Sequence, residues 1–183
     1  MAKQPKAPLS PVEICRRRRI HVLTVQGYVN LLAKAVVMAL AVWLIFSQVF
    51  LLTQCVGQGM FPAVEDGDLV LAYRLHSDYQ KGDVVLYTVD GASYMGRIVG
   101  RQTDVVFMDD SGTLQINGTN QGGEIMYPTY AKPGTEYPYR VPEDSLYVLG
   151  DYRIQTEDSR DFGAIPMDDI QGKVITIVRR RGV

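Results

Sequence analysis

Residues Ala35 to Leu52 read AVVMALAVWLIFSQVFLL, 18 residues without a charge. As an α-helix, at ~1.5 Å per residue, they span roughly 27 Å, close to the ~30 Å hydrocarbon core of a bilayer. A buried helix of a soluble domain would carry a polar stripe, and Ser47 and Gln48 are too few to make one. The run therefore divides the chain into a basic segment 1–33, a transmembrane anchor 34–53 and an outer domain 54–183. Residues 1–34 hold seven Lys or Arg and one acid, Glu13, for a charge of +6, whereas residues 54–183 carry -7. Arg16, Arg17, Arg18 and Arg19, with Lys3 and Lys6 upstream, keep the N-terminal end in the cytoplasm by the positive-inside rule. A cleaved signal peptide is the rival reading. It would need an n-region of over 30 residues, no A-x-A site follows the run, and large Gln54 precedes Cys55. The expectation is an uncleaved, single-pass anchor in the cell membrane, with the main domain outside.

The remaining composition excludes several classes. An acidic body without a basic stripe argues against nucleic acid as partner. Cys15 and Cys55 fall on opposite sides of the bilayer, as do His21 and His76, so neither a disulfide nor a zinc site is expected. Gly57-x-Gly59 does not open a βαβ unit, so no dinucleotide and no other cofactor is expected.

The outer domain reads as mainly β. Apolar, β-branched and aromatic residues cluster in Asp68–Tyr73, Asp83–Thr88, Tyr94–Val99, Val105–Met108, Thr113–Ile116, Leu146–Leu149 and Val174–Val178. Asp66-Gly67, Lys81-Gly82, Asp90-Gly91, Ser111-Gly112 and Asn117-Gly118 punctuate them, pairs in which Gly or Asn accepts φ > 0. No long amphipathic helix pattern follows residue 54. One β domain is expected, a folded-over pair of sheets or an open barrel. Residues 119–145, with four prolines and four tyrosines, are long for a structureless connection. They read as either a binding surface or a poorly ordered excursion.

Three stretches are informative together. Gly57-x-Gly59-Met60-x-Pro62 precedes Gly67-Asp68 and a strand. Tyr94-Met95-Gly96-Arg97-Ile98-Val99-Gly100 follows, and then Leu149–Gly163, LGDYRIQTEDSRDFG. In this order, behind an N-terminal anchor, they resemble the signal peptidase I family, membrane-anchored serine–lysine peptidases that remove signal peptides. The resemblance covers the anchor and nearly all of residues 54–178, and implies that family's β domain. Its chemistry is a dyad: a serine attacks the scissile carbonyl, and a lysine kept neutral by burial takes the proton. Here Gly59 stands at the serine position and Gly96 at the lysine position, so no catalytic residue is intact. The resemblance assigns Gly57, Met60, Pro62, Arg97, Thr156, Asp158 and Arg160 to a vestigial site frame. Gly57 and the Gly59 N–H form part of an oxyanion-hole-like loop, Thr156 has no lysine left to orient, and Asp158 with Arg160 matches the family's structural ion pair near the site, against the ordinary alternative of a partly exposed salt bridge. Tyr152 replaces the family's usual asparagine. Two glycines, where a designed knockout takes alanine, fit natural loss.

The resemblance then implies a catalytically inactive, membrane-tethered protein that binds exported proteins or pilin subunits as extended segments. Loss of both side chains is expected to widen its groove. Dyad-lacking members of this family occur in Gram-positive pilus gene clusters, which suggests a role in pilus or surface-protein assembly. Two alternatives stand beside it. One is an active signal peptidase using an unrecognised nucleophile, with Cys55, Ser93 and Lys81 as the residues to examine. The other is a structural interaction protein using Tyr127, Tyr130, Tyr137 and Tyr139.

Overall fold

The computed structural model describes residues 11–121 and 126–179. Lys3, Lys6, the side chain of Arg17 and residues 122–125 lie outside the described residues. The chain divides into two units, Met1–Phe46 and Ser47–Val183. The first belongs to helix α1, Pro11–Val49. Its stretch His21–Val49, 29 residues, is long and apolar enough to cross a membrane. At about 44 Å it exceeds the hydrocarbon core. Arg16, Arg18 and Arg19 are exposed on the same helix.

The boundary expected at residue 53 is corrected. The helix ends at Val49, and Phe50–Gln54 form strand β1. An apolar run without periodicity does not distinguish helix from strand. Here pairing decides: Phe50 lies opposite Tyr73 and Gln54 opposite Leu69, in β2, Leu69–Tyr73. The rings of Phe50 and Tyr73 pack tilted at 52°, centroids 5.8 Å apart, at the start of the ladder.

The second unit continues with β3 (Val84–Val89), β4 (Ala92–Gly100), β5 (Val105–Met108), β6 (Leu114–Ile116), β7 (Thr119–Asn120), β8 (Tyr139–Arg140) and β9 (Ser145–Leu149). A single helical turn α2 (Ser159–Phe162), β10 (Ile165–Pro166) and β11 (Ile170–Val178) complete it. The strands make two sheets, β1-β2-β11-β3-β4-β9-β10 and β7-β6-β5-β8. Every strand expected from sequence occurs, and β1, β7, β8 and β10 are additional. The β3–β4 hairpin turns on Asp90 (φ 49) and Gly91 (φ 81), left-handed backbone that matches the twist of the flanking strands.

β9 explains the layering. All five of its residues are buried. Tyr147 and Leu149 join Val99, Val106, Leu114 and Ile116 in a core shared with the small sheet. Leu146 and Val148 face Val85, Tyr87, Ile98 and Ile165 in a second core. A strand covered on both faces reads as an unbroken apolar run, and SLYVL does. A third cluster holds Cys55, Met60, Val64 and Val70, with Met95 of β4 packed against it.

Candidate functional site

The loop after β1 is closed by its own backbone. Cys55 N–H donates to Asp68 O at 2.8 Å, and Gly67 N–H donates to Cys55 O at 2.9 Å. Gly57 has φ 88 and gives its N–H to Asp66 Oδ1 at 2.8 Å. That N–H is engaged in holding the turn. Buried Met60 and Val64 pin the loop to the third core, while Pro62 is exposed after a cis bond from Phe61. Gly59 is thereby held beside a cleft of about 750 Å³. The loop 54–60 forms one wall, with Leu51 and Thr53 of β1, and Gln155–Glu157, Ser93–Met95, Leu86 and Gln171 line it further.

The two loops that carry the sequence motifs touch through backbone. Tyr152 N–H donates to Gly59 O at 3.0 Å. A Cβ at Gly150 would lie 2.4 Å from Thr156 Cγ2 and 2.7 Å from Gly59 O, so glycine is what permits the approach.

Gly59 and Gly96 differ in their surroundings. A Cβ on Gly59 would meet only Thr156 Cγ2, at 3.2 Å. On β4, Gly96 shares a face with Tyr94 and Ile98, since side chains alternate along a strand. A Cβ there would sit 2.6 Å from Val148 Cγ1 and 3.1 Å from Leu149 O. The expected widening is therefore corrected: there is room at residue 59, but Val148 fills the space at residue 96. Overpacking a core typically destabilises by about 1–3 kcal/mol. Gly96→Ala is expected to lose that amount in denaturant unfolding of the full chain, and Gly59→Ala less than ~1 kcal/mol. Equal losses would contradict this difference.

The residues named as possible replacements do not assemble a nucleophile. Burial, with Asp66 and Asp68 nearby, raises the Cys55 thiol above its ordinary range and keeps it protonated. Ser93 lines the cleft on the face opposite Gly96, as its spacing requires, and its Oγ accepts from Gln171 Nε2 at 3.3 Å. Lys81 pairs with Asp104 at 3.0 Å. No lysine or histidine is among the residues that line the cleft. Lys132 was not foreseen. Its Nζ donates to Thr156 O and Asp161 Oδ2, so the ammonium is already paired. Nothing in the sequence marks a contact between residues 24 apart.

Asp158 and Arg160 form a buried pair, not a partly exposed salt bridge. Asp158 is 0% exposed and Arg160 2%. Arg160 Nε reaches Oδ1 at 2.9 Å and Nη2 reaches Oδ2 at 2.8 Å. Asp158 also caps α2, accepting from Arg160 N–H, and accepts from Gly150 N–H at 3.2 Å. Thr156 donates its hydroxyl to Asp158 Oδ2 at 2.8 Å, so it has a partner without any lysine. Arg97 holds Asp151 through two bonds, at 2.8 and 2.6 Å. Arg153 is buried as well, and desolvation lowers its guanidinium to about 10. The Tyr152 ring packs edge-on against Phe61 and Tyr127.

The Tyr- and Pro-rich segment is a strap over this network, not an excursion. Thr129 Oγ1 accepts from Arg153, Tyr130 O accepts from Arg160, and Thr135 Oγ1 donates to Arg160 O. Tyr139 OH accepts from Ala164 N–H, and Tyr137 OH meets Tyr147 OH at 2.7 Å. Of its four tyrosines, only Tyr130 is among the exposed large side chains.

Comparison with known proteins agrees with the frame. The family model described as signal peptidase, peptidase S26, matches residues 28–179. Signal peptidase I of Bacillus licheniformis is 29% identical over 147 residues, 73% of this chain and 77% of that one. Signal peptidase IB of Staphylococcus aureus is 30% identical over 142 residues, 64% of this chain and 72% of its own. Among solved structures, a signal peptidase I from Enterococcus faecalis V583 matches with 25% identity and a TM-score of 0.43, over 55% of this chain and 98% of that one.

Proposed function

The chain belongs to the signal peptidase, peptidase S26, family, and on that premise we propose that it holds exported polypeptides at the membrane without cleaving them. The observation that carries this reading is the pair Gly59 and Gly96 inside a frame that is otherwise built. Gly59 offers no oxygen to attack with, and the space at Gly96 is taken by Val148. Removing one member of a catalytic triad typically lowers the rate by orders of magnitude, and here both members of a dyad are missing.

Binding needs less than catalysis does. β9 pairs with β4 only from Arg97 onward, so Ala92–Met95 are hydrogen-bonded to β3 on one side alone. An open edge of this kind accepts an extended peptide as an added strand, and it borders the cleft through Ser93, Tyr94 and Met95. β1 follows α1 without a linker, so the chain entering the cleft wall starts where the anchor ends. With the N-terminus in the cytoplasm, the β unit that carries the cleft lies on the side on which secreted chains emerge. Assembly of pili or other surface proteins is the setting this reading favours, by resemblance to dyad-lacking family members.

The test uses the full chain in detergent, with a photo-reactive group at Ser93 and a signal-peptide-bearing protein as probe. Cross-linking without cleavage is expected, together with its loss in Gly59→Trp, which fills the cleft. Turnover of the probe would return the active-peptidase reading. Cross-linking unchanged by Gly59→Trp would move the contact out of the cleft.

A further inference from the structure

We infer that the extended segment held in the cleft carries a lysine or arginine that sits against Glu157. This deepens the peptide-binding reading above and rests on it.

Among the described residues that line the cleft, Glu157 is the only Asp, Glu, Lys or Arg. It is exposed, and one carboxylate oxygen accepts from Tyr94 OH at 3.2 Å. Tyr94 lies on the stretch of β4 that pairs with β3 but not with β9, so a strand added on that free side passes beside Glu157. The cations nearest this end are already committed. Lys132 is paired with Asp161, Arg97 with Asp151 and Arg160 with Asp158.

Carboxylates lie near both ends of the cleft. Desolvation and the carboxylates of Glu157, Asp90 and Asp161 all raise the Tyr94 phenol. At the other end, burial, Asp66 and Asp68 raise the Cys55 thiol. A cleft lined by one sign of charge concentrates ligands of the other. The lining also sets the pattern of the segment. Leu86 and Met95 are apolar, whereas Gln58 and Gln155 are exposed amides. An extended chain turns alternate side chains to opposite sides. The fitting segment therefore alternates small apolar with polar residues and places its basic residue beside Tyr94.

Three fluorescent octapeptides of alternating Ala/Val and Thr, differing only in a central Lys, Gln or Glu, test this by anisotropy with the full chain in detergent at low salt. The Lys peptide is expected to bind about threefold more tightly than the Gln peptide, with the Glu peptide weakest, a size ordinary for one exposed charge contact. Glu157→Gln keeps an acceptor for Tyr94 and is expected to level the three. Glu157→Lys is expected to reverse their order. Roughly 0.5 M salt shortens the Debye length below 5 Å and should erase most of the preference. Equal binding of the three peptides overturns the inference while leaving the groove intact, as does a Lys preference that survives Glu157→Gln. Binding of none of them at millimolar concentration sinks the peptide-groove reading itself, and this inference with it.

Discussion

Asp158→Ala is expected to lower the stability of the β unit by about 3–5 kcal/mol, the typical effect of breaking a buried ion pair by removing one partner. The carboxylate accepts from Arg160 Nε and Nη2, Thr156 Oγ1 and the Gly150 N–H. Its loss leaves the Arg160 guanidinium buried without an anion, beside Arg153, whose Nη2 already lacks a partner among the described residues. It also removes the cap of α2. The matched control is Lys81→Met, which breaks a pair whose lysine side chain is 40% exposed and should lose less than ~1 kcal/mol. Pulse proteolysis of the full chain across a urea series measures both. With a slope of about 1–3 kcal/mol per molar urea, the Asp158→Ala midpoint should fall by roughly 2 M and the control's by a few tenths. Midpoints that fall equally would mean the pair contributes no more than a surface contact.

The second large effect is chemical. The natural chain is expected to cleave a signal-peptide substrate no faster than background, and Gly59→Ser/Gly96→Lys to stay close to it. Adding Val148→Ala should then raise the rate by about 10³-fold or more, within the range lost when catalytic partners are deleted. The reason is geometric. A lysine built at residue 96 meets Val148 Cγ1 at its first side-chain atom, and a displacement of ~1 Å in a reacting group can reduce a rate about 10²-fold. A double variant as fast as the triple would show that Val148 yields. A silent triple variant would show that more than the dyad and one valine separates this frame from a working one. Cleavage by the natural chain would overturn the inactive reading outright.

Strands and turns were legible because their signals are local. Asp90-Gly91 marks a hairpin, and VVLYT and SLYVL read as strands wherever they pair. The order of three motif stretches was enough to point to the family. What was not legible depended on contacts between distant residues. Phe50–Gln54 sat inside an apolar run, and only β2, fifteen and more residues away in sequence, decides that they are a strand. Asp158 and Arg160 looked like ordinary surface charges because the strap that covers them lies some thirty residues earlier in the chain. The same strap hid Lys132. Gly96 was readable as a missing lysine, but which residue would occupy the vacated space depends on how β9 packs, and spacing does not encode that.

In the proposed topology, with the β unit outside the membrane, the strand order also sets a timetable for export. β11, the last strand, lies between β2 and β3. A polypeptide threaded across a membrane from its N-terminal side delivers β2 and β3 early, with nothing to join them. Until Ile170–Val178 has come through, each presents a bare row of amides and carbonyls to the crowded outer surface, the arrangement most prone to pairing with a stranger. The domain's period of greatest vulnerability thus lasts for most of its own translocation, and it ends only when the nine residues of β11 slide into the gap.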